Sequence, residues 1–119
     1  MAGDESFRPE ARLRRAEDYA AVFSARRVLR SGAFDLHVLR REAGAARLGL
    51  VVPKKIARLA VLRNTVKRMA REIFRRRRSE LPPSDLVLRL ARKPGSGAFD
   101  RPAIRRDIEA LLEKLLVQP

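Results

Sequence analysis

The chain contains no cysteine and no tryptophan, and it has a single histidine, His37. Without cysteine there is no disulfide framework and no thiolate metal site. That composition fits a reducing cytoplasm, the location we expect. One histidine cannot furnish a two-histidine acid–base nuclease. The 14 acidic residues are scattered, and no cluster of them suggests a carboxylate site for two metal ions. A phosphate-cradling Walker loop and a GxGxxG turn are both missing. No apolar run approaches the length of a membrane span, and the N-terminal segment has none of the apolar stretch of a signal peptide. Internal repeats are absent. The expectation is a protein with no catalytic residues, no metal or other cofactor of its own, no small-molecule substrate and no membrane partner.

Positive charge is what the chain has in excess. Lys and Arg number 28 among 119 residues, for a net charge of +14 and a pI of about 11.7. At 45% hydrophobic residues the chain should still fold, as one domain with a modest core. Charge of this size points to nucleic acid or an anionic membrane surface. It is densest in residues 54–78, which hold eleven Lys or Arg and one acid, Glu72. On a helix advancing about 100° per residue, Leu62, Val66, Met69, Ala70 and Ile73 share one arc. Arg63, Asn64, Lys67, Arg68, Arg71, Arg75 and Arg78 share another. Phe74 is the misfit, projecting into the basic arc near its edge. A mixed-charge surface helix is ordinarily a solvated face laced with i,i+4 ion pairs. This one lacks the acids: Glu72 can pair with Arg68 or Arg76, and the other cations have no helical partner. Unpaired cations repel one another, and a phosphate backbone neutralises them with release of counterions. Arginine, the commoner cation here, suits bidentate phosphate contact. Lys54 and Lys55, just upstream, can join the same surface. The Arg75–Arg78 run covers every side of the helix end, which suggests non-specific electrostatics and compensation of the helix dipole.

The chain divides into a loose polar segment, residues 1–12, and a single RNA-binding domain, residues 13–119. A first helix is expected from Arg15 to Arg27, with Ala16, Tyr19, Ala20, Val22 and Phe23 on its apolar side. Ser31 and Gly32 mark a turn. Residues 33–41 alternate as a strand, with Phe34, Leu36 and Val38 on one face and Asp35, His37 and Leu39 on the other. Residues 42–46, with Gly44, read as a hairpin loop to a second strand at 47–52, stopped by Pro53. The basic helix spans 59–79. After Pro82 and Pro83 comes a third strand at 85–91, with Leu86, Leu88 and Leu90 on one face and Arg89 opposite. Residues 94–97 form a loop. Asp100 caps a last helix with Pro102 in its first turn and an apolar stripe of Ile104, Ile108, Leu111, Leu112, Leu115 and Leu116. The class is α+β: a small mixed sheet with helices on one side, packed through Phe34, Leu36, Leu86 and Leu88. Strand 47–52, the basic helix and strand 85–91 make a βαβ unit, for which a right-handed crossover is the general rule.

The residues from Arg63 to Glu72, Arg-Asn-Thr-Val-Lys-Arg-Met-Ala-Arg-Glu, resemble the signature helix of the bacterial ribonuclease P protein component, Arg-Asn-Arg-x-Lys-Arg-x-x-Arg-Glu. Thr65 replaces the second arginine. Upstream, Arg47 to Lys55 looks like that family's strand ending in a lysine pair, with Pro53 in place of the usual small residue. The resemblance extends over roughly residues 7–116. It implies a fold like domain 2 of ribosomal protein S5, with a left-handed βαβ crossover. It also implies the protein subunit of ribonuclease P, which assists endonucleolytic removal of the 5′ leader from precursor tRNA while a large RNA holds the active site and its Mg²⁺. The implied partners are that catalytic RNA and precursor tRNA. Lys54, Lys55, Arg63, Asn64, Lys67, Arg68, Arg71 and Arg75 would bind RNA.

Tyr19 and Phe23 lie four apart, a spacing more often seen in a core than in a binding platform. His37 taken alone could be an exposed strand residue. The resemblance matches Tyr19 and Phe23 to aromatic positions that line the family's cleft for the single-stranded leader, and His37 to a position often aromatic there. Arg89 projects beside His37. Base stacking on aromatics tolerates any sequence, as a protein serving many precursors requires. Two rivals share the basic helix: a ribosomal-type rRNA-binding protein without a leader cleft, and a membrane-surface protein. The second lacks a Trp- or Phe-rich insertion face.

Overall fold

Leu86, Leu88 and Leu90 pack on one side of the segment Ser84–Leu90 (β4) and Val87 on the other. A strand apolar on both faces belongs inside a sheet. The computed structural model describes residues 9–94 and 99–117 and places β4 there. Val28–Ser31 (β1), Phe34–Arg40 (β2) and Arg47–Val51 (β3) complete a four-stranded sheet in the order β1-β2-β4-β3. β2 is antiparallel to both β1 and β4, and β3 is parallel to β4. The helices are Ala16–Ser24 (α1), Ala60–Arg77 (α2) and Arg101–Val117 (α3). β3, α2 and β4 form the βαβ unit expected from the sequence.

Three local expectations are corrected. Residues 42–46 do not close a hairpin, because β4 lies between β2 and β3 and takes both as neighbours. The hairpin is β1–β2 instead, turning at Gly32 with φ +56°, a conformation open to glycine at little steric cost. The first helix stops at Ser24, short of Arg27, where Arg26 enters the left-handed region at φ +57°. The residues after it make β1, a strand too short to announce itself by alternation. Finally, helices cover both faces of the sheet. α2 and α3 pack on the side of Phe34, Leu36, Val38, Leu86 and Leu88, while α1 packs on the other through Val22 against Val87.

α2 buries Val66, Met69, Ala70, Ile73 and also Phe74, which is 1% exposed. The basic arc was the wrong place for Phe74. Near its C-terminal end α2 lies against α3 as well as the sheet, so its apolar stripe widens there. Phe74 shares a cavity of about 10 Å³ with Leu36, Leu48, Leu88, Ile108 and Leu111, at the lower limit for a single water. At the start of α3 the Ala103 N–H donates to Asp100 Oδ1 at 2.8 Å, the expected cap. Residues 1–8 of the segment expected to be loose, and residues 95–97 of the expected loop, lie outside the described residues. Pro9–Ala11 is a 3-10 turn with Ala11 buried, and the Leu13 N–H donates to the Leu48 carbonyl at 3.0 Å along the outer edge of β3.

Phe74→Ala is expected to lower unfolding free energy by about 3–5 kcal/mol. That is much of the total for a domain this size. Urea titration checks it. A loss below about 1 kcal/mol would return Phe74 to the surface arc.

Candidate nucleic-acid interface

Strand register lays three rows of side chains across the face that α1 covers. The middle row is Val28, His37, Val87 and Gly49. α1 sits on it, with Val22 fully buried against Val87. Tyr19 stands on Gly49, where an added Cβ would fall 2.6 Å from the ring, so only glycine admits this approach. The Tyr19 hydroxyl accepts a hydrogen bond from the Leu50 N–H at 3.2 Å, capping a donor on the free edge of β3. Phe23 meets His37 edge to face, with ring centroids 4.6 Å apart and planes at 74°. These contacts bring Tyr19, Phe23 and His37 to one face.

The flanking rows are charged. On one side Leu39, Asp85 and Arg47 align, and on the other Arg30, Asp35, Arg89 and Val51. Each row holds a buried carboxylate, and each carboxylate is answered by arginine. Asp85 takes two hydrogen bonds from Arg47, both 2.8 Å, and one from Arg41 at 3.4 Å. Asp35 accepts from Arg92 at 2.7 Å and lies 3.9 Å from Arg30. Neither carboxylate was picked out as a site residue from the sequence. The one signal was Asp35 alternating with His37 on the face away from the core.

Phe23 remains 37% exposed, whereas His37 beneath it is only 8% exposed. His37 is therefore not the exposed strand residue its sequence context allowed. Its Nε2 is buried without a hydrogen-bond partner among the described residues. Desolvation pushes the imidazole pKa below its ordinary 6.5; Asp35 opposes the shift, and Arg89 and Arg30 reinforce it.

On α2, Asn64 and Arg68 are exposed and Lys67 and Arg71 are half-buried on the side away from the core; Lys54 and Lys55 before the helix are exposed. The Arg71 Nε is buried and lacks a partner among the described residues. Other cations are engaged. Arg63 folds back to donate to the carbonyls of Ala57 and Arg58, both at 2.8 Å, at a helix start that has no side-chain cap. The Thr65 hydroxyl donates to the Val61 carbonyl at 2.8 Å. Glu72 pairs with Arg75 at 2.6 Å and Arg76 at 2.9 Å rather than with Arg68. Those hydrogen bonds, that from Arg75 first, hold the Glu72 carboxyl below the usual range. Arg77 reaches Glu113 at 2.7 Å, and Arg78 donates to the Ala46 carbonyl at 2.7 Å. The end of the basic run is thus tied into the fold and is not a loose electrostatic patch.

Among the described residues no group of three or more His, Cys, Asp or Glu could hold a metal ion. Among the described residues no helix is long and apolar enough to cross a membrane, and the apolar arc of α2 is already buried in the core. Fold and surfaces together define a small α+β RNA-binding accessory protein. The family model for ribonuclease P matches residues 7–116. The chain belongs to the bacterial ribonuclease P protein component family: it is the non-catalytic protein subunit that aids a catalytic RNA in cleaving the 5′ leader from precursor tRNA. The ribonuclease P protein component of Azoarcus sp. (strain BH72) is 44% identical over 112 residues, covering 94% of this chain and 92% of that protein. That of Streptomyces bikiniensis is 44% identical over 116 residues, covering 90% and 93%. Among solved structures, the RNase P protein of Staphylococcus aureus superposes with a TM-score of 0.77 at 27% identity, covering 87% of this chain and 94% of that one. The Thermotoga maritima protein gives 0.69 at 29% identity, covering 87% and 96%. The shared architecture is the mixed α+β fold like domain 2 of ribosomal protein S5.

The histidine generates a pH prediction. Its pKa is lower in the native state than in the unfolded chain, so the unfolded chain binds the extra proton. Stability from this group is complete above about pH 6.5 and declines as pH falls below that value. Urea midpoints measured from pH 7.5 down to 5.5, above the carboxylate range, are expected to fall in the wild type and to fall less in His37→Gln. Equal slopes in the two proteins would contradict the burial described here.

Proposed function

We propose that the two basic surfaces divide the RNA between them. The cleft beside α1 takes the single-stranded 5′ leader of precursor tRNA, with Tyr19, Phe23, His37 and Arg89 along it. The outer side of α2, with Lys54 and Lys55, takes the catalytic RNA through Asn64, Lys67, Arg68 and Arg71. Arg63 and Arg75 stand at the margins of that surface, each partly committed within the protein. The observation that carries the cleft reading is Phe23, a large aromatic left 37% exposed over a buried imidazole on a face flanked by arginines. An exposed ring in a cationic groove suits sequence-tolerant stacking of single-stranded bases. For α2, the absence of a side-chain cap and of any acid in its first turn leaves the positive end of the helix dipole uncompensated, beside Lys54, Lys55 and Arg58. Thr65, with its hydroxyl turned onto its own helix, adds nothing to this surface. A cytoplasmic location belongs to the same proposal, in keeping with a chain that has no cysteine.

Two outcomes are expected in holoenzyme reconstituted with the catalytic RNA. Phe23→Ala weakens binding of precursor tRNA by about 1–3 kcal/mol, the worth of one stacked base, and leaves mature tRNA near wild type. Equal losses for both RNAs would make Phe23 a structural residue. Arg68→Ala weakens binding to the catalytic RNA and lowers its salt slope by about 1, with an unchanged melting temperature. A variant that melts early while its folded fraction binds normally would sink the assignment of the α2 surface.

A further inference from the structure

The charged row Arg30, Asp35, Arg89 and Val51 spans the sheet beside α1, from the outer strand β1 to the end of β3. The exposed Lys54 and Lys55 follow shortly after Val51 in the chain. Arg92, near this row, is satisfied within the protein: it donates to the carbonyls of Gly32 and Phe34 and to Asp35, at 2.7, 3.2 and 2.7 Å. Arg30 is different. Its side chain is 72% exposed, and its one contact among the described residues is the 3.9 Å approach to Asp35. A guanidinium carries several donors in a fixed fork, so most of those on Arg30 are idle. The Arg89 side chain makes no hydrogen bond or ion pair among the described residues, while its backbone lies in the ladder between β2 and β3. Two such cations sit one on each side of a buried carboxylate, next to a half-exposed aromatic ring. A carboxylate in an RNA groove repels phosphate, and burying it is costly unless it is paired. Here it offsets the mutual repulsion of the arginines and draws Arg30 along the row.

We propose that Arg30 and Arg89 form a track that grips the phosphates of single-stranded RNA along the floor of the α1 cleft, with Asp35, which lies between them in register, as the residue that positions Arg30. The inference rests on the cleft reading above and adds to it two residues, Arg30 and Asp35, that the sequence did not single out. The track leads toward Lys54 and Lys55, so one continuous cationic path joins the leader cleft to the surface of α2.

The test measures affinities of reconstituted holoenzyme for precursor and mature tRNA over a range of salt. Arg30→Gln and Arg89→Gln are each expected to weaken precursor binding about three- to tenfold and to leave mature tRNA unchanged. Each should also lower the slope of log K against log salt by about 0.7, the value for one single-stranded phosphate. Asp35→Asn makes the chain more positive, and a surface acting by charge alone would then bind every RNA more tightly. The track predicts weaker precursor binding instead, and little further effect of Arg30→Gln in the Asp35→Asn background. Thermal melts report the fold of each variant. Arg30 is exposed, so its variant keeps the test decisive even if Asp35→Asn unfolds. Unchanged precursor affinity in both arginine variants overturns the track, as does an equal loss for the two RNAs. Phe23→Ala measured alongside separates the failures: a precursor-specific loss there, with none in the arginine variants, removes the track alone, and no loss in any variant removes the cleft reading too.

Discussion

A sheet has two faces, and the described residues of this chain cover only one of them fully. α2 and α3 close the face of Phe34, Leu36, Val38, Leu86 and Leu88. Among the described residues the other face has α1, a helix of nine residues, and Leu13 before it, packed on Val87 with Leu39 and Val51 at the edges. Everything distinctive about the molecule follows from that shortfall. The rows beside α1 are mostly charged, with Leu39 and Val51 as their apolar members, their carboxylates are buried among arginines, and Phe23 is held half out of the core on top of His37.

Ion pairing within the fold helps so positive a chain stay folded. Self-repulsion at +14 opposes the compact state. The acids present are placed where cations crowd: Asp85 between Arg41 and Arg47, Asp35 by Arg92, Glu72 between Arg75 and Arg76. Pairs on the exposed surface contribute little each, whereas removing Arg47 leaves the buried Asp85 carboxylate with only the 3.4 Å approach of Arg41 and is destabilising. The cations left over, Arg68 and the lysines before α2 among them, are the ones that face outward.

Local patterns in the sequence revealed what depends on local physics. The period of α2, the alternation of β2 and β4, the Asp100 cap and the stripe of α3 were all readable, because each is decided within one element. Phe74 was not, because its burial depends on α3 arriving from the far end of the chain. The place of β4 between β2 and β3 was not, because strand order leaves no mark in the spacing of either neighbour. β1 was hidden by its four residues and by a helix pattern that ran up to it. The cleft aromatics entered through a resemblance, since the spacing of Tyr19 and Phe23 suits a core equally well. The alignment of Arg30, Asp35 and Arg89 exists only through register, which brings residues 30 and 89 onto one row.

The central claim is that the open face beside α1 binds the leader. It is tested most directly with precursor tRNAs whose leaders are shortened one nucleotide at a time, comparing affinity for the catalytic RNA alone with affinity for the holoenzyme. The account predicts that the gain due to the protein shrinks as the leader is trimmed and vanishes on mature tRNA. A gain of the same size on mature tRNA as on the full precursor would contradict it.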